Sequence, residues 1–374
     1  MIQQKRYFIT LSVILLLGVI VYIFLVPNFE TVEFSQEVVD NIADGVTTTT
    51  SGSQNNDNVS ETQDNTELPI DLEQEDQIII QDFLLNSFAK SDIDIFDTYL
   101  LIGSDERNEN SSLSRGFVEG ARADVIILGL FKKDSDEMYL LSIPRDTLIQ
   151  NGCTDNIERI NASFIKNVCG NKVENLAASI AKLTGLKIDH FASFNFEGFE
   201  EIINSFNGIE ICVDVTQREG YSFELQKGCQ LVNGSIALNW VVSRHTEILV
   251  GEKQLDENGN DISEWKLMPG VSDLTRNDRQ QYVVLQLLKR VKEFRSLSDL
   301  SKFITALENS FVIDDNLSLN KAANILWSLK DTDFNNITKL SMPVKNYILD
   351  DGRQVLIMTE NFTDFAKSQG LLDS

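Results

Sequence analysis

Apolar residues open the chain in one almost unbroken run. Tyr7 to Val26 reads YFITLSVILLLGVIVYIFLV and contains no charge. At ~1.5 Å per helical residue, a run of this length matches the ~30 Å hydrocarbon core of a bilayer and predicts a transmembrane helix. The pattern then turns polar. Residues 30–66 are rich in Thr, Ser, Gln, Asn and Asp, including Thr47–Thr50 and Ser51–Asn56. A stretch with no apolar face has nothing to offset its ordering entropy, so a disordered tether is expected over 29–69. Apolar spacing returns at Ile78, Ile79, Phe83, Leu84 and Phe88, the rhythm of an amphipathic lead-in helix within 70–94.

From residue 95 two periodicities alternate. Thr98–Ile102 is a short apolar run, and Asp124–Phe131 and Glu137–Ile143 flank the polar turn Lys132–Asp136 as a hairpin. Val173, Leu176, Ala177, Ile180 and Leu183 mark a helix over Lys172–Thr184 that Gly185 stops. His190–Phe194 reads as a strand. Phe196, Phe199, Ile202, Ile203 and Phe206 form a helix face closed by Asn207-Gly208, and Ile209–Val213 follows as a strand. A long helix lies within Ser272–Phe294, with Asp273 or Thr275 as its expected cap. Elements mixed in this order predict an α/β fold, an α/β/α sandwich with a central mixed sheet over 95–296. The last segment, 297–374, alternates again. Leu300–Leu307, Leu319–Leu329 and Asn361–Gly370 are helical in pattern, and Ile337–Val344 and Val355–Met358 are strand-like. It reads as a C-terminal α/β extension, packed on the main sheet or standing apart.

Charge changes this picture. The 374 residues carry a net charge of −25, which speaks against a nucleic-acid partner, since such a partner needs a basic stripe. Residues 30–97 hold 17 acidic residues and one basic residue, Lys90, so most of the imbalance sits in the tether region. Lys5 and Arg6 precede the apolar run, and the first charges after it are acidic. The positive-inside rule then places residues 1–28 as a cytoplasmic tip and single-pass cell-membrane anchor, with the bulk extracytoplasmic. A cleaved signal peptide is the alternative, but Val26-Pro27-Asn28-Phe29-Glu30 offers no A-x-A site. The four cysteines, Cys153, Cys169, Cys212 and Cys229, make no C-x-x-C pair, and two histidines are too few for a zinc site. An even count in an exported domain suggests disulfides. Of the three connectivities, the sequential one closes two short loops at ~3 kcal/mol each.

Common catalytic motifs are missing: G-x-S-x-G, H-E-x-x-H, a P-loop and a dinucleotide fingerprint. Arginines beside acidic residues stand instead at the ends of apolar runs. These are Asp105 with Arg107, Arg122 with Asp124, Arg145 with Asp146, Arg244, and Arg276, Arg279 and Gln280 with Asp273. Positions 276, 279 and 280 share one helix face. Arginines at a helix start fit the macrodipole only if an anion binds there. Their forks suit phosphate oxygens, and Asp105 and Asp124 suit a hard cation. Spacing alone therefore suggests a phosphate or pyrophosphate site with Mg²⁺.

Seven segments in order sharpen that reading. They are LLIGSDER (100–107), RADVIILGLF (122–131), YLLSIPRDT (139–147), ERINASF (158–164), FNFEGFEEIINSFNGIEICV (194–213), LVNGSIALNWVVSRH (231–245) and DLTRNDRQQ (273–281). The set resembles the LytR–CpsA–Psr family of cell-wall glycopolymer phosphotransferases over about 95–295. The resemblance implies an extracytoplasmic enzyme that takes a glycopolymer from an undecaprenyl-pyrophosphate carrier and joins it to peptidoglycan. It implies Mg²⁺ (or Mn²⁺) on Asp105 and Asp124. It implies pyrophosphate contacts from Arg107, Arg122, Arg145, Arg159, Arg244, Arg276 and Gln280, with Arg279 in the same motif. Arg145, Arg244, Arg276 and Asp273 would be catalytic, Asp273 as base towards the acceptor. The family's slot for a polyprenyl chain would fall on the faces of Leu176/Ile180 and Phe199/Ile203, which ordinary core packing also explains.

Two departures stand out. Val242 occupies a position where the family usually has a further arginine, and a long insert runs from about Thr246 to Gly270, the kind of loop that serves as a lid or is disordered. Two alternatives therefore stay open: a polyprenyl-pyrophosphate phosphatase, and a non-catalytic scaffold that binds the lipid carrier.

Overall fold

The computed structural model describes residues 30–32, 80, 93–105, 122–164, 169–269, 273–292, 294, 311–314, 334 and 337–373. The expected anchor, most of the tether and lead-in helix, Arg107, and the helices expected at Leu300–Leu307 and Leu319–Leu329 lie outside these residues. Among the described residues no helix is long and apolar enough to cross a membrane.

Chain order begins with strands β1 (Glu30–Val32), β2 (Phe96–Ser104), β3 (Ala123–Lys132), β4 (Met138–Ser142), β5 (Leu148–Gln150) and β6 (Ile157–Arg159). A 3-10 turn at Ile160–Phe164 leads to helix α1 (Lys172–Thr184), strand β7 (His190–Asn195) and helix α2 (Phe196–Ser205). Strands β8 (Ile209–Val213), β9 (Gln217–Glu219), β10 (Phe223–Leu225) and β11 (Gly228–Val232) precede helix α3 (Gly234–Val242). The hairpin β12 (Glu247–Val250) and β13 (Glu264–Leu267) runs into the long helix α4 (Asp273–Val291). Strands β14 (Phe311–Asp314), β15 (Thr338–Ser341), β16 (Val344–Ile348) and β17 (Gln354–Met358) and helix α5 (Phe362–Ser368) follow.

Seven of these strands make a mixed sheet in the order β1-β14-β7-β2-β3-β4-β15. Alternation along β3 assigns its two faces. Ile126, Leu128 and Leu130 pack with Leu176, Ala177 and Ile180 of α1 and with Phe362 and Phe365 of α5. Val125 and Ile127 point the other way, against Val284, Leu285 and Leu288 of α4. The sheet is therefore sandwiched between helices, as the periodicity predicts. Each fully buried side chain of this size adds ~1.5–3 kcal/mol. Local signals set the ends of α1: Asn171 and Glu174 form a capping box, and Gly185 takes the left-handed conformation at φ 69°.

Two expectations change, and one left open is resolved. Glu30–Val32, placed in the tether by composition, adds as a parallel edge strand to β14, with Glu30 opposite Val312. An edge strand offers unpaired backbone groups, and the β-branched Thr31 and Val32 suit pairing with it. Of the two arrangements left open for the segment after residue 296, packing on the main sheet is the one found: β14 pairs antiparallel with β7 and β15 parallel with β4, on both sides of the sheet. The insert after Thr246 is not an unstructured loop. Strand β12 pairs with β13 and with β9, and Arg218 ties the hairpin together, bonded to Glu247 and Asp261 and stacked 3.9 Å over Trp265.

The faces considered for a polyprenyl slot are core. Leu176 and Ile180 are 0% exposed against the sheet, and Phe199 and Ile203 pack among β8, β11 and α3. Cys153 is joined to Cys169, and Cys212 to Cys229 across the β8–β11 pair.

Candidate functional site

Antiparallel pairing of β2, β3 and β4 brings the end of β2, the start of β3 and the end of β4 to the same end of the sheet. Register shifts at Gly103/Ser104, where a Cβ on Gly103 would lie 2.8 Å from Val125 Cβ, so only glycine lets the two strands approach. Just beyond that bulge, Asp105 Oδ1 accepts the Arg122 backbone N–H at 2.8 Å. Asp124 accepts a hydrogen bond from Arg145 Nη1. Arg145 Nε lies 3.6 Å from Asp146 Oδ2, and Asp146 Oδ1 lies 3.7 Å from Arg159 Nε. Arg159 Nη2 in turn donates to the Gln354 carbonyl of β17 at 2.9 Å. Alternating charges thus run Asp124, Arg145, Asp146, Arg159 along the strand ends. The backbone of Arg145 is held too, its carbonyl accepting from Asn161 N at 3.2 Å.

The start of α4 meets this row. Gln281 pins the helix across β4 and β15, donating to the Leu340 carbonyl at 2.6 Å, Ser142 Oγ at 2.8 Å and the Leu140 carbonyl at 3.2 Å. Arg276, one turn earlier, is half-buried. Burial first, then the positive charges of Arg145 and Arg244, lower its pKa to about 10, against the pull of Asp124 and Asp146. Burial also opposes the charge on Arg145, but Asp124 and Asp146 outweigh it and raise its pKa. Burial raises the Asp105 carboxyl above its usual range, and the neighbouring Asp124 charge adds to that. This end of the sheet therefore sets the Arg276 guanidinium against the charges of Arg145 and Arg244, beside the carboxylates of Asp105 and Asp124, which repel each other. The buried Arg145 Nε makes no hydrogen bond among the described residues. A polyanion facing the arginines and a cation facing Asp105 and Asp124 would relieve both strains.

The structure brings together Asp105, Arg122, Asp124, Arg145, Arg159 and Arg276, with Arg244 exposed directly after α3. Gln280 is buried on α4. Asp273 is the first helical residue rather than the cap, and its side chain lies outside the described residues. Arg279 is a correction. Its side chain does not join the row: Nη1 donates to the Trp240 carbonyl at 2.9 Å and Nη2 to Thr246 Oγ1 at 3.0 Å. Residues three apart on a helix differ by ~60° in direction, enough to give Arg276 and Arg279 different neighbours. Val242 sits half-buried against the α2–α3 cluster. Sequence reasoning gave no role to Asp146, although its place beside Arg145 was the available signal, and none to Gln281, whose partners are remote in the chain.

The LytR_cpsA_psr family model matches residues 58–253 and 265–369, leaving out the tip of the β12–β13 hairpin. Over 157 residues the chain is 31% identical to a probable cell wall biosynthesis protein, LcpB, of Corynebacterium glutamicum, which covers 40% of this chain and 36% of that one. Over 219 residues it is 25% identical to the polyisoprenyl-teichoic acid–peptidoglycan teichoic acid transferase TagU of Enterococcus faecalis, covering 58% of this chain and 60% of that one. The chain thus spans less than two thirds of either relative. The solved structure of B. subtilis TagV shares the fold, with a TM-score of 0.55 and 20% identity over 75% of this chain and 96% of that one. With the family model matched on both sides of that hairpin and across the whole row of charged strand ends, the chain belongs to the LytR–CpsA–Psr family.

Proposed function

We propose that this protein is a membrane-anchored extracytoplasmic phosphotransferase. It moves a glycopolymer from a polyprenyl-pyrophosphate carrier, undecaprenyl in chemistry, onto a peptidoglycan hydroxyl. The observation that carries the reading is the convergence of Arg145 beyond β4, Arg276 in the first turn of α4 and Arg244 after α3, with the Arg276 pKa lowered to about 10 by burial and by the other two charges. Such a cluster suits the charge that builds on phosphoryl oxygens. The name of the Enterococcus faecalis relative supports the substrate class.

In this reading the acceptor oxygen forms a bond to the phosphorus bearing the glycan. The bond from that phosphorus to the bridging oxygen breaks, and polyprenyl phosphate leaves with its electron pair. Asp273, in the first turn of α4, takes the hydroxyl proton. Arg145 and Arg276 hold the non-bridging oxygens, and Arg244 faces the leaving phosphate. Asp146 and Arg159 keep the Arg145 guanidinium in place. Asp105 and Asp124 would hold Mg²⁺ (or Mn²⁺), which when bound supplies charge neutralisation at the pyrophosphate. Their repulsion and the raised Asp105 pKa fit a divalent cation.

The run Tyr7–Val26 anchors the chain in the cell membrane with the N-terminus cytoplasmic, which keeps the domain beside its lipid substrate. Two disulfides accord with an oxidising, extracytoplasmic setting.

The test is transfer by the full-length protein in detergent with Mg²⁺, a polyprenyl-pyrophosphate oligosaccharide and peptidoglycan oligomers. Arg145→Ala is expected to lose at least ~100-fold, the scale for removing one charged donor from a transition state. Undiminished transfer by Arg145→Ala would place the chemistry elsewhere. Phosphate release that acceptor does not divert would make the protein a hydrolase.

A further inference from the structure

Arg279 is an arginine of the family motif that the row of strand-end charges does not use. It lies one turn after Arg276 on α4 and is 7% exposed. Its Nη1 reaches the Trp240 carbonyl at 2.9 Å, and its Nη2 reaches Thr246 Oγ1 at 3.0 Å and Met268 Sδ at 3.8 Å. The guanidinium carbon stands 5.2 Å from the centroid of the Trp240 ring.

These partners are not scattered. Trp240 lies near the end of α3, Thr246 immediately precedes β12, and Arg244 lies between them. Ser243 and Thr246 close this short segment with hydroxyls 2.6 Å apart, both buried. Met268 follows β13, and its N–H donates to the Thr246 carbonyl at 2.8 Å. One planar fork therefore grips both sides of the segment that bears Arg244 and both roots of the hairpin, and binds all of them to α4. Lysine lacks that fork and cannot hold two acceptors in fixed directions.

The need for such a clamp is electrostatic. Arg244 is exposed, and its charge repels Arg276, whose pKa it helps to lower. A short segment left to itself would swing Arg244 away from its neighbour. We propose that Arg279 is a positioning residue. By fastening Trp240, Thr246 and Met268 to α4, it keeps Arg244 beside Arg276, where one pyrophosphate group can bridge both. The proposal rests on Arg244 and Arg276 belonging to the site described above. It replaces direct substrate contact by Arg279 with action through Arg244. It also ties both roots of the hairpin, whose tip the family model leaves out, to α4.

A double-mutant cycle tests this in the transfer assay with the full-length protein, using Arg279→Lys, Arg244→Ala and the pair together. Arg279→Lys is expected to lower kcat by about 10- to 100-fold, the scale of a small misplacement of a reacting group. In the Arg244→Ala background the same change should cost less than about twofold, because the residue it positions is already gone. Effects that multiply would overturn the proposal, whether they arise from a separate substrate contact or from general loss of folded protein. Thr246→Val removes one partner of the clamp and leaves the guanidinium in place, so it carries the cycle if Arg279→Lys does not fold. It should behave the same way, with a smaller loss. If Arg244→Ala alone transfers like the wild type, the site itself is misplaced. That outcome is distinct from an impaired Arg244→Ala whose effect multiplies with Arg279→Lys.

Discussion

Burial of the Asp105 carboxylate is expected to cost stability at neutral pH, and replacing it should expose that cost. Its carboxyl is half-buried beyond the β2 bulge, accepts the Arg122 N–H at 2.8 Å and faces the charge of Asp124. Burial is the main cause of its raised pKa, and Asp124 adds to it. Folding therefore favours the protonated form. The stability this group contributes is present below its unfolded pKa, near 3.8, and is lost as pH rises through the higher folded value. At pH 7 the ionised carboxylate opposes folding. Asp105→Asn keeps the shape and the acceptor for the Arg122 N–H while deleting the charge. After solvent screening the gain is on the order of 1 kcal/mol, or about 2–4 °C in Tm for a domain of this size. Thermal unfolding followed by circular dichroism from pH 3.5 to 8 should show no difference at the acid end and a difference that grows towards neutral. Added Mg²⁺ should raise the Tm of the wild type by the equivalent of ~2.7 kcal/mol at a hundredfold excess over Kd, and leave Asp105→Asn unmoved. Transfer should be lost. Asp189→Asn is the control: burial raises that carboxyl too, and Asp189 bonds to Thr98 N at 2.9 Å. It should gain stability and keep transfer activity. An Asp105→Asn protein that is no more stable, and transfers normally, would refute the reasoning.

Two further outcomes test the frame around the site. Replacing Cys212 and Cys229 together by Ser opens a loop of sequence separation 17 and should cost ~3 kcal/mol, read as a lower urea midpoint that reductant also produces in the wild type. Gly234→Ala puts a Cβ 2.4 Å from the Glu200 carbonyl oxygen, so α2 and α3 must part. Chemical denaturation should show a loss of ~1–3 kcal/mol, and an unchanged midpoint would contradict the close approach.

Much of the fold is legible in the sequence because its signals are local. Alternation over Asp124–Phe131 and Glu137–Ile143 predicts the hairpin found as β3 and β4, and Gly185 and Asn207-Gly208 stop α1 and α2 as expected. Strand ends also mark the charged residues, since polar side chains at the limits of apolar runs are free to converge. Less legible is what each arginine touches. Arg276 and Arg279 look alike in the motif, yet one faces Arg145 and the other is consumed by Trp240 and Thr246. Asp146, between Arg145 and Arg159, gains its role only when β6 folds back beside β5. Composition misled at Glu30–Val32, where an available sheet edge outweighs a polar setting.

The sequence by itself determined the elements: period-2 and period-3.6 runs, their caps and breakers, the cysteine count and the arginines at strand ends. Each of these depends on residues two to four positions apart, or on the side chain alone. Only the tertiary structure decided the order of the sheet, with β7 beside β2 and the C-terminal β14 and β15 on its flanks. It also decided that Arg159 reaches Gln354, 195 positions away, and that Arg279 clamps α3 and the hairpin to α4. Contacts over such separations are set by which faces bury together and which buried donors must find acceptors. No local pattern records that choice.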